Sequence, residues 1–261
     1  MIRALRLNWR LYLIEAWALG MFMLSAVVFT ILIEHPSFPI RTLIQSGFER
    51  RVLIGLAMGI TVVLLMYSSW GEKSGAHMNP AVTLTFLILK RISRIDALFY
   101  ITAQFIGGLL AVESIALLIP SYIHHPDVNY TITVPGKAGN LMAFLYEFSI
   151  SFVLIGVVLL AGNSNFKKYT GYFAGFLLLV YISFEAPYSG MSINPARTIA
   201  SAIPSNNYTA LWIYFVAPVG GMLMAGLSYR AGYIWRKGNC KEMMLHLNGK
   251  CEESISYLPG L

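Results

Sequence analysis

The sequence predicts an all-α membrane protein, with six transmembrane helices and two re-entrant half-helices arranged as an inverted repeat. Three observations carry that expectation. The 261 residues are 57% hydrophobic and only 12% charged, with a mean hydropathy of +0.64, and several apolar runs approach the roughly 20 residues a spanning helix needs. A nine-residue frame occurs twice, Ser-Gly-Ala-His-Met-Asn-Pro-Ala-Val at 74–82 and Ser-Gly-Met-Ser-Ile-Asn-Pro-Ala-Arg at 189–197. Around each copy the apolar runs fall in the same order: span, span, half-span, span.

The chain opens with Arg3, Arg6 and Arg10, and the first span follows at about 11–33. That run is too long for a signal-peptide core and ends without a small-residue cleavage pattern. It contains Glu15, whose charge is costly against lipid and is expected to face inward. Residues 34–50 read as a loop with Pro36 and Pro39. The second span, about 51–69, carries Gly55 and Gly59 at a spacing that lets helices approach closely. After the first frame the apolar run is short. Pro80 to Lys90 covers 11 residues, roughly 16 Å of helix and about half the hydrocarbon thickness. Lys90, Arg91 and Arg94 then mark a polar surface.

The third span, about 96–119, holds Gln104, Gly107, Gly108 and Glu113. Residues 120–139 form a long loop in which His124 and His125 have no ligand partners that would make a metal site. The fourth span, about 140–162, places Glu147 where the first places Glu15. A short basic loop with Lys167 and Lys168 leads to the fifth span, about 171–186. The second frame and a short apolar piece ending near Pro204 follow. The sixth span, about 209–234, carries Pro218, Gly220 and Gly221 in an echo of Gln104, Gly107 and Gly108. Residues 1–235 thus read as one transmembrane domain with halves at about 1–120 and 140–235. Residues 236–261 read as a polar cytoplasmic tail. Cys240 and Cys251 both lie in that tail, so neither a disulfide framework nor a Cys/His metal site is implied.

Three spans per half reverse the second half relative to the first. Charge agrees with both termini being cytoplasmic: fourteen of the 19 basic residues fall on the inner side of that topology, while Arg50-Arg51 runs against it. The net charge of +7 therefore reads as membrane orientation, and no nucleic-acid partner is expected.

A single Asn-Pro is simply a good helix start, with Asn as N-cap and Pro in the first turn. Two copies in one frame at membrane depth are more specific. Irregular backbone there must be buried in protein or line water. Half-helices entering from opposite faces bring Asn79 and Asn194 together, each capping its own helix with its amide directed between them. The two positive helix ends converge there, repelling cations while accepting a neutral solute's oxygen. Glu15 and Glu147, with His77, are expected to support the two irregular loops.

On these residues the chain resembles the major intrinsic protein family, the aquaporins and aquaglyceroporins, over about residues 8–235. The resemblance rests on the paired motifs Asn79-Pro80-Ala81 and Asn194-Pro195-Ala196, on Arg197 after the second, and on a Glu in the first and fourth spans. It implies an aquaporin-like fold, a pore in each subunit and a homotetramer. It also implies that Met58, Ile182, Met191 and Arg197 form the selectivity filter. At the first two positions water-selective members resemble one another in Phe and His, and glycerol facilitators in Trp and Gly; this chain has neither pair. Thr198, Ala202 and the pair Tyr214-Phe215 lean towards the water channels.

The function expected is a passive channel conducting water, with other small neutral solutes as candidates, that excludes protons and ions. The alternatives are a facilitator for glycerol or similar solutes, and a secondary transporter with broken helices. The transporter is disfavoured because only Glu15, Glu113 and Glu147 are counted as intramembrane acids. No nucleophile–base pair or metal cluster accompanies the motifs, so no enzyme, cofactor or metal is expected. The partners are water and small neutral solutes, the lipid bilayer and further copies of the chain. The location is a multi-pass protein of the plasma (inner cell) membrane.

Overall fold

The first apolar run folds as a single helix, α1 (Ile2–Glu34), which takes in the basic N-terminal turns as well as the predicted span. The computed structural model describes residues 2–246. In order along the chain follow α2 (Gly47–Met66), the short α3 (Pro80–Ile88), α4 (Arg94–Leu118), α5 (Gly139–Gly162), α6 (Thr170–Val180), the second short helix α7 (Pro195–Ser205) and α8 (Ile213–His246). α6 runs on into a π-helical turn, Tyr181–Glu185.

Among the described residues, four segments are long and apolar enough to cross a membrane: Ala4–Glu34, Arg94–Leu118, Gly139–Gly162 and Lys167–Ser189. α2 is apolar beyond Glu49, Arg50 and Arg51 near its start. It begins earlier than the sequence suggests because Ser46 caps it, its Oγ accepting from the Glu49 N–H at 3.4 Å. Two other boundaries also differ. The predicted fifth span loses α-helical geometry after Val180, and the sixth continues to His246, so residues 236–246 of the predicted tail have helical backbone. Residues 247–261, including Cys251, lie outside the described residues, as does the side chain of Cys240.

Glycines set how closely the helices cross. A Cβ added to Gly59 on α2 would fall 2.6 Å from the Gly175 carbonyl oxygen on α6, and one on Gly175 would meet the Gly59 oxygen at the same distance. α1 and α4 touch where Gly107 lies against the Ala16 backbone; α5 and α8 touch where Gly221 lies against the Phe148 backbone. Ala16 and Phe148 each directly follow a buried glutamate, Glu15 and Glu147. The same glycine contact therefore seats the corresponding acid in each half.

The halves interlock through their short helices. α7 of the second half packs on α4 of the first, with Ala200 against Gly108, and α3 of the first packs on α8 of the second, with Thr85 against Gly226. One apolar cluster accordingly joins Leu19, Met23, Val112 and Ala200, and another joins Ala81, Leu154, Leu178 and Met222. Neither half can bury its own short helix without the other.

Candidate functional site

The loops that enter α3 and α7 share one backbone course. Gly75, Ala76 and Met78 have φ of +86°, +47° and +50°, and Gly190, Met191 and Ile193 have φ of +83°, +50° and +51°. Each run ends in an extended asparagine, Asn79 (φ −158°, ψ 123°) and Asn194 (φ −149°, ψ 109°). Left-handed backbone is uncommon for a non-glycine residue and is a genuine outlier for β-branched Ile193. Strain of this kind persists only where the surroundings over-determine it.

Two carboxylates supply that determination. Glu15 is fully buried; its Oε1 accepts from the His77 N–H at 3.0 Å, and its Oε2 from the Met78 N–H at 2.7 Å and Gln104 Nε2 at 2.8 Å. Glu147 is equally buried; its Oε1 accepts from the Ser192 N–H at 2.6 Å and the Ser189 hydroxyl at 2.7 Å, and its Oε2 from the Ile193 N–H at 2.7 Å. In both halves the acid grips the two residues that immediately precede the asparagine.

Each asparagine then faces two ways. Asn79 Oδ1 accepts from the Ala81 N–H at 2.8 Å, while its Nδ2 donates to the Ile193 carbonyl at 2.7 Å. Asn194 Oδ1 accepts from the Ala196 and Arg197 N–H groups at 3.0 and 3.2 Å, while its Nδ2 donates to the Met78 carbonyl at 2.7 Å. Backbone N–H on one side and a carbonyl on the other leave only one assignment of amide oxygen and nitrogen. Each amide does point across to the other motif, and what it meets there is the opposite loop's backbone. One N–H of each amide ties to the opposite loop: Asn79 to Ile193 and Asn194 to Met78.

Both asparagines line one cavity of about 290 Å³, and so do His77, Met58, Ile182, Met191 and Arg197. Most of the rest of the lining is apolar, with Phe22, Phe86 and Leu154 among it. Pro80, Ala81, Pro195 and Ala196 are buried behind it in the first turns of the short helices. His77 Nδ1 lies 3.1 Å from Thr83 Oγ1 on α3. Arg197 Nη1 donates to the Thr131 carbonyl at 2.7 Å.

Sequence reasoning missed a second ring of supports. Thr83 and Thr198 stand four residues after their asparagines; Thr198 Oγ1 lies 2.5 Å from Ser192 Oγ and 2.9 Å from Thr133 Oγ1. The hydroxyls of Tyr100 and Tyr214 donate to the carbonyls of Ser74 and Ser189 at 2.9 and 2.5 Å. The repeat of Thr after each motif was available as a signal; the tyrosines lie too far along the chain to be tied to it. The loop at 120–139, assigned no chemistry from sequence, holds Arg197 through Thr131. It is anchored by Asp127, which pairs with Arg41 at 3.4 Å, while Arg41 pairs with Glu34 at 2.6 Å. The count of intramembrane acids also needs correction: Glu185 is buried, and neither carboxylate oxygen has a partner among the described residues.

A family model described as Major intrinsic protein matches residues 5–229. The chain belongs to the major intrinsic protein family. It is 34% identical over 215 residues to aquaporin NIP2-2 of Zea mays, an alignment covering 81% of this chain and 71% of that protein. It is 33% identical to nodulin-26 of Glycine max over 67% of this chain and 64% of that protein. It is 34% identical to aquaporin-4 of Rattus norvegicus over 68% of this chain and 55% of that protein, so the match leaves substantial parts of both longer relatives uncovered. Among solved structures, the aquaglyceroporin from Plasmodium falciparum superimposes with a TM-score of 0.69 at 19% identity, covering 84% of this chain and 94% of that one. The fold is the aquaporin fold. This member of the major intrinsic protein family is an integral membrane protein and a passive channel for water or small solutes.

Proposed function

We propose that the protein conducts water, leaks small neutral solutes such as glycerol, and excludes protons and ions. The observation that carries this reading is the reciprocal pair of caps. Asn79 and Asn194 each keep an N–H for a passing oxygen, at the meeting point of two positive helix ends, in one cavity with Arg197. A water that donates nothing to these groups and accepts from both cannot continue a proton wire, and a cation meets like charge. Met58, Ile182 and Met191 add no strong donor to the filter, and methionine adapts its shape to what passes. Arg197 is then the filter's principal donor. With both termini in the cytoplasm, Arg197 stands on the outer side of the cell's plasma membrane. Four chains assemble, each with its own conduit.

Stopped-flow light scattering on proteoliposomes tests the reading. Water permeability should stand well above that of empty vesicles, with measurable glycerol entry and no ionic current. Ile182→His adds a donor and narrows the filter, and should lower the glycerol-to-water ratio by roughly tenfold. Water flux no greater than that of empty vesicles, from correctly folded protein, would refute the channel. A ratio unchanged by histidine would refute the filter assignment.

A further inference from the structure

Arg50 and Arg51 stand together at the start of α2, against the charge bias of the rest of the chain, and their surroundings differ. Arg50 is buried and held by one carboxylate and two backbone carbonyls. Its Nε pairs with Glu34 at 2.9 Å, and its Nη1 donates to the Ile44 and Gln45 carbonyls at 2.8 and 2.9 Å. Arg51 is half-buried. Its Nε donates to the Ser183 carbonyl at 3.2 Å, and its guanidinium carbon lies 5.9 Å from the centre of the Phe48 ring. Among the described residues no carboxylate pairs with Arg51, and its terminal N–H groups have no protein acceptor.

Arg51 also lines the cavity that contains Arg197. On α2 the lining residues are Arg51, Ile54, Met58, Val62 and Met66, a spacing that places them along one face of the helix. At 1.5 Å per residue Arg51 stands about 10 Å from Met58 along the helix axis. The ties from Glu34 to Arg41 and Arg50, and from Arg41 to Asp127, place the start of α2 beside the loop that carries Thr131, the anchor of Arg197. Arg51 and Arg197 therefore share one mouth. The Ser183 carbonyl held by Arg51 belongs to the π-helical turn that carries Ile182; such turns are frequent at functional sites.

We propose that Arg51 is a second specificity-determining cation of the conduit, standing ahead of Met58 and Ile182 at the Arg197 mouth. It offers N–H donors to the oxygens of an uncharged solute and repels a cation before the filter is reached. This rests on the channel reading, whose own test is the water flux of the unmodified protein in proteoliposomes.

Potassium conductance in planar bilayers tests it. Arg197→Val alone should leave Arg51 as a barrier and conduct little. Adding Arg51→Met should raise conductance by roughly tenfold or more, the scale of removing one unscreened charge from a low-dielectric mouth. Adding Arg51→Lys instead keeps the charge, and should leave conductance at the level of Arg197→Val. Arg51→Gln replaces the methionine variant, with the same expectation, should methionine prevent folding as judged by water flux. Equal conductance with and without the neutral substitution overturns the proposal. So does a lysine variant that conducts as freely as the methionine one, because charge would then not be the cause.

Discussion

Glu147 carries a role that no other residue type fills as well. A carboxylate has acceptor oxygens and no donor, and this one is met by two backbone N–H groups and a hydroxyl while fully excluded from solvent. Replacing it with glutamine keeps the size but turns one oxygen into a donor facing another donor. The loss is about 1.5–3 kcal/mol for each charge-assisted bond broken, with strained Ile193 losing its restraint at the same time. Glu15→Gln faces the same geometry at His77 and Met78. Both variants should melt at lower temperature in detergent, measured by intrinsic fluorescence or loss of monodispersity. Unchanged melting of both would mean that the acids do not hold the loops. At this scale the sequence was informative because an acid in an apolar run is conspicuous. Glu185 escaped notice because it sits at the ragged end of the fifth span, where a charge looks like a boundary. It is buried at the end of the π-helical turn, which no periodicity announces.

At the scale of helices, close crossings depend on a missing side chain, and glycines differ sharply in what surrounds them. Gly107 presses on the Ala16 backbone, whereas a Cβ on Gly156 in the middle of α5 would meet nothing within 4 Å. Gly107→Ala must push α4 away from α1 and displace Gln104 from Glu15, at a cost of about 1–3 kcal/mol or more. Gly156→Ala removes only backbone entropy from the unfolded state and should stabilise by about 0.5–1 kcal/mol. A side-by-side detergent melt of the two variants checks this, and the idea fails if they shift the same way. The glycines were visible in the sequence as a repeated pattern, yet the pattern alone did not say which backbone each would meet. Nor did it say that α3 and α7 would exchange partners between halves. Those facts come from packing between residues more than ninety positions apart, such as Ala200 on Gly108 and Gly226 on Thr85.

For the molecule as a whole, a continuous conduit is a statement about access, and thiol chemistry can probe it. The chain has two cysteines, Cys240 and Cys251, both beyond the second half of the channel domain. Met191 lines the cavity, immediately after the left-handed Gly190, with its own φ at +50°. A mercurial reaches the cavity only if the cavity opens to solvent, and it reacts there only if a thiolate-forming side chain is present. Water flux through the unmodified protein should therefore resist mercury. Met191→Cys places a smaller, reactive group at the same position and should render the flux sensitive, with recovery on adding a reducing thiol. Replacing both Cys240 and Cys251 with serine should change neither result. Strong inhibition of the serine-substituted protein would mean that mercury acts elsewhere, and a Met191→Cys variant that reacts without losing flux would place Met191 outside the path of water. The two outcomes separate an error about the lining from an error about conduction, because labelling and flux are read independently on the same vesicles.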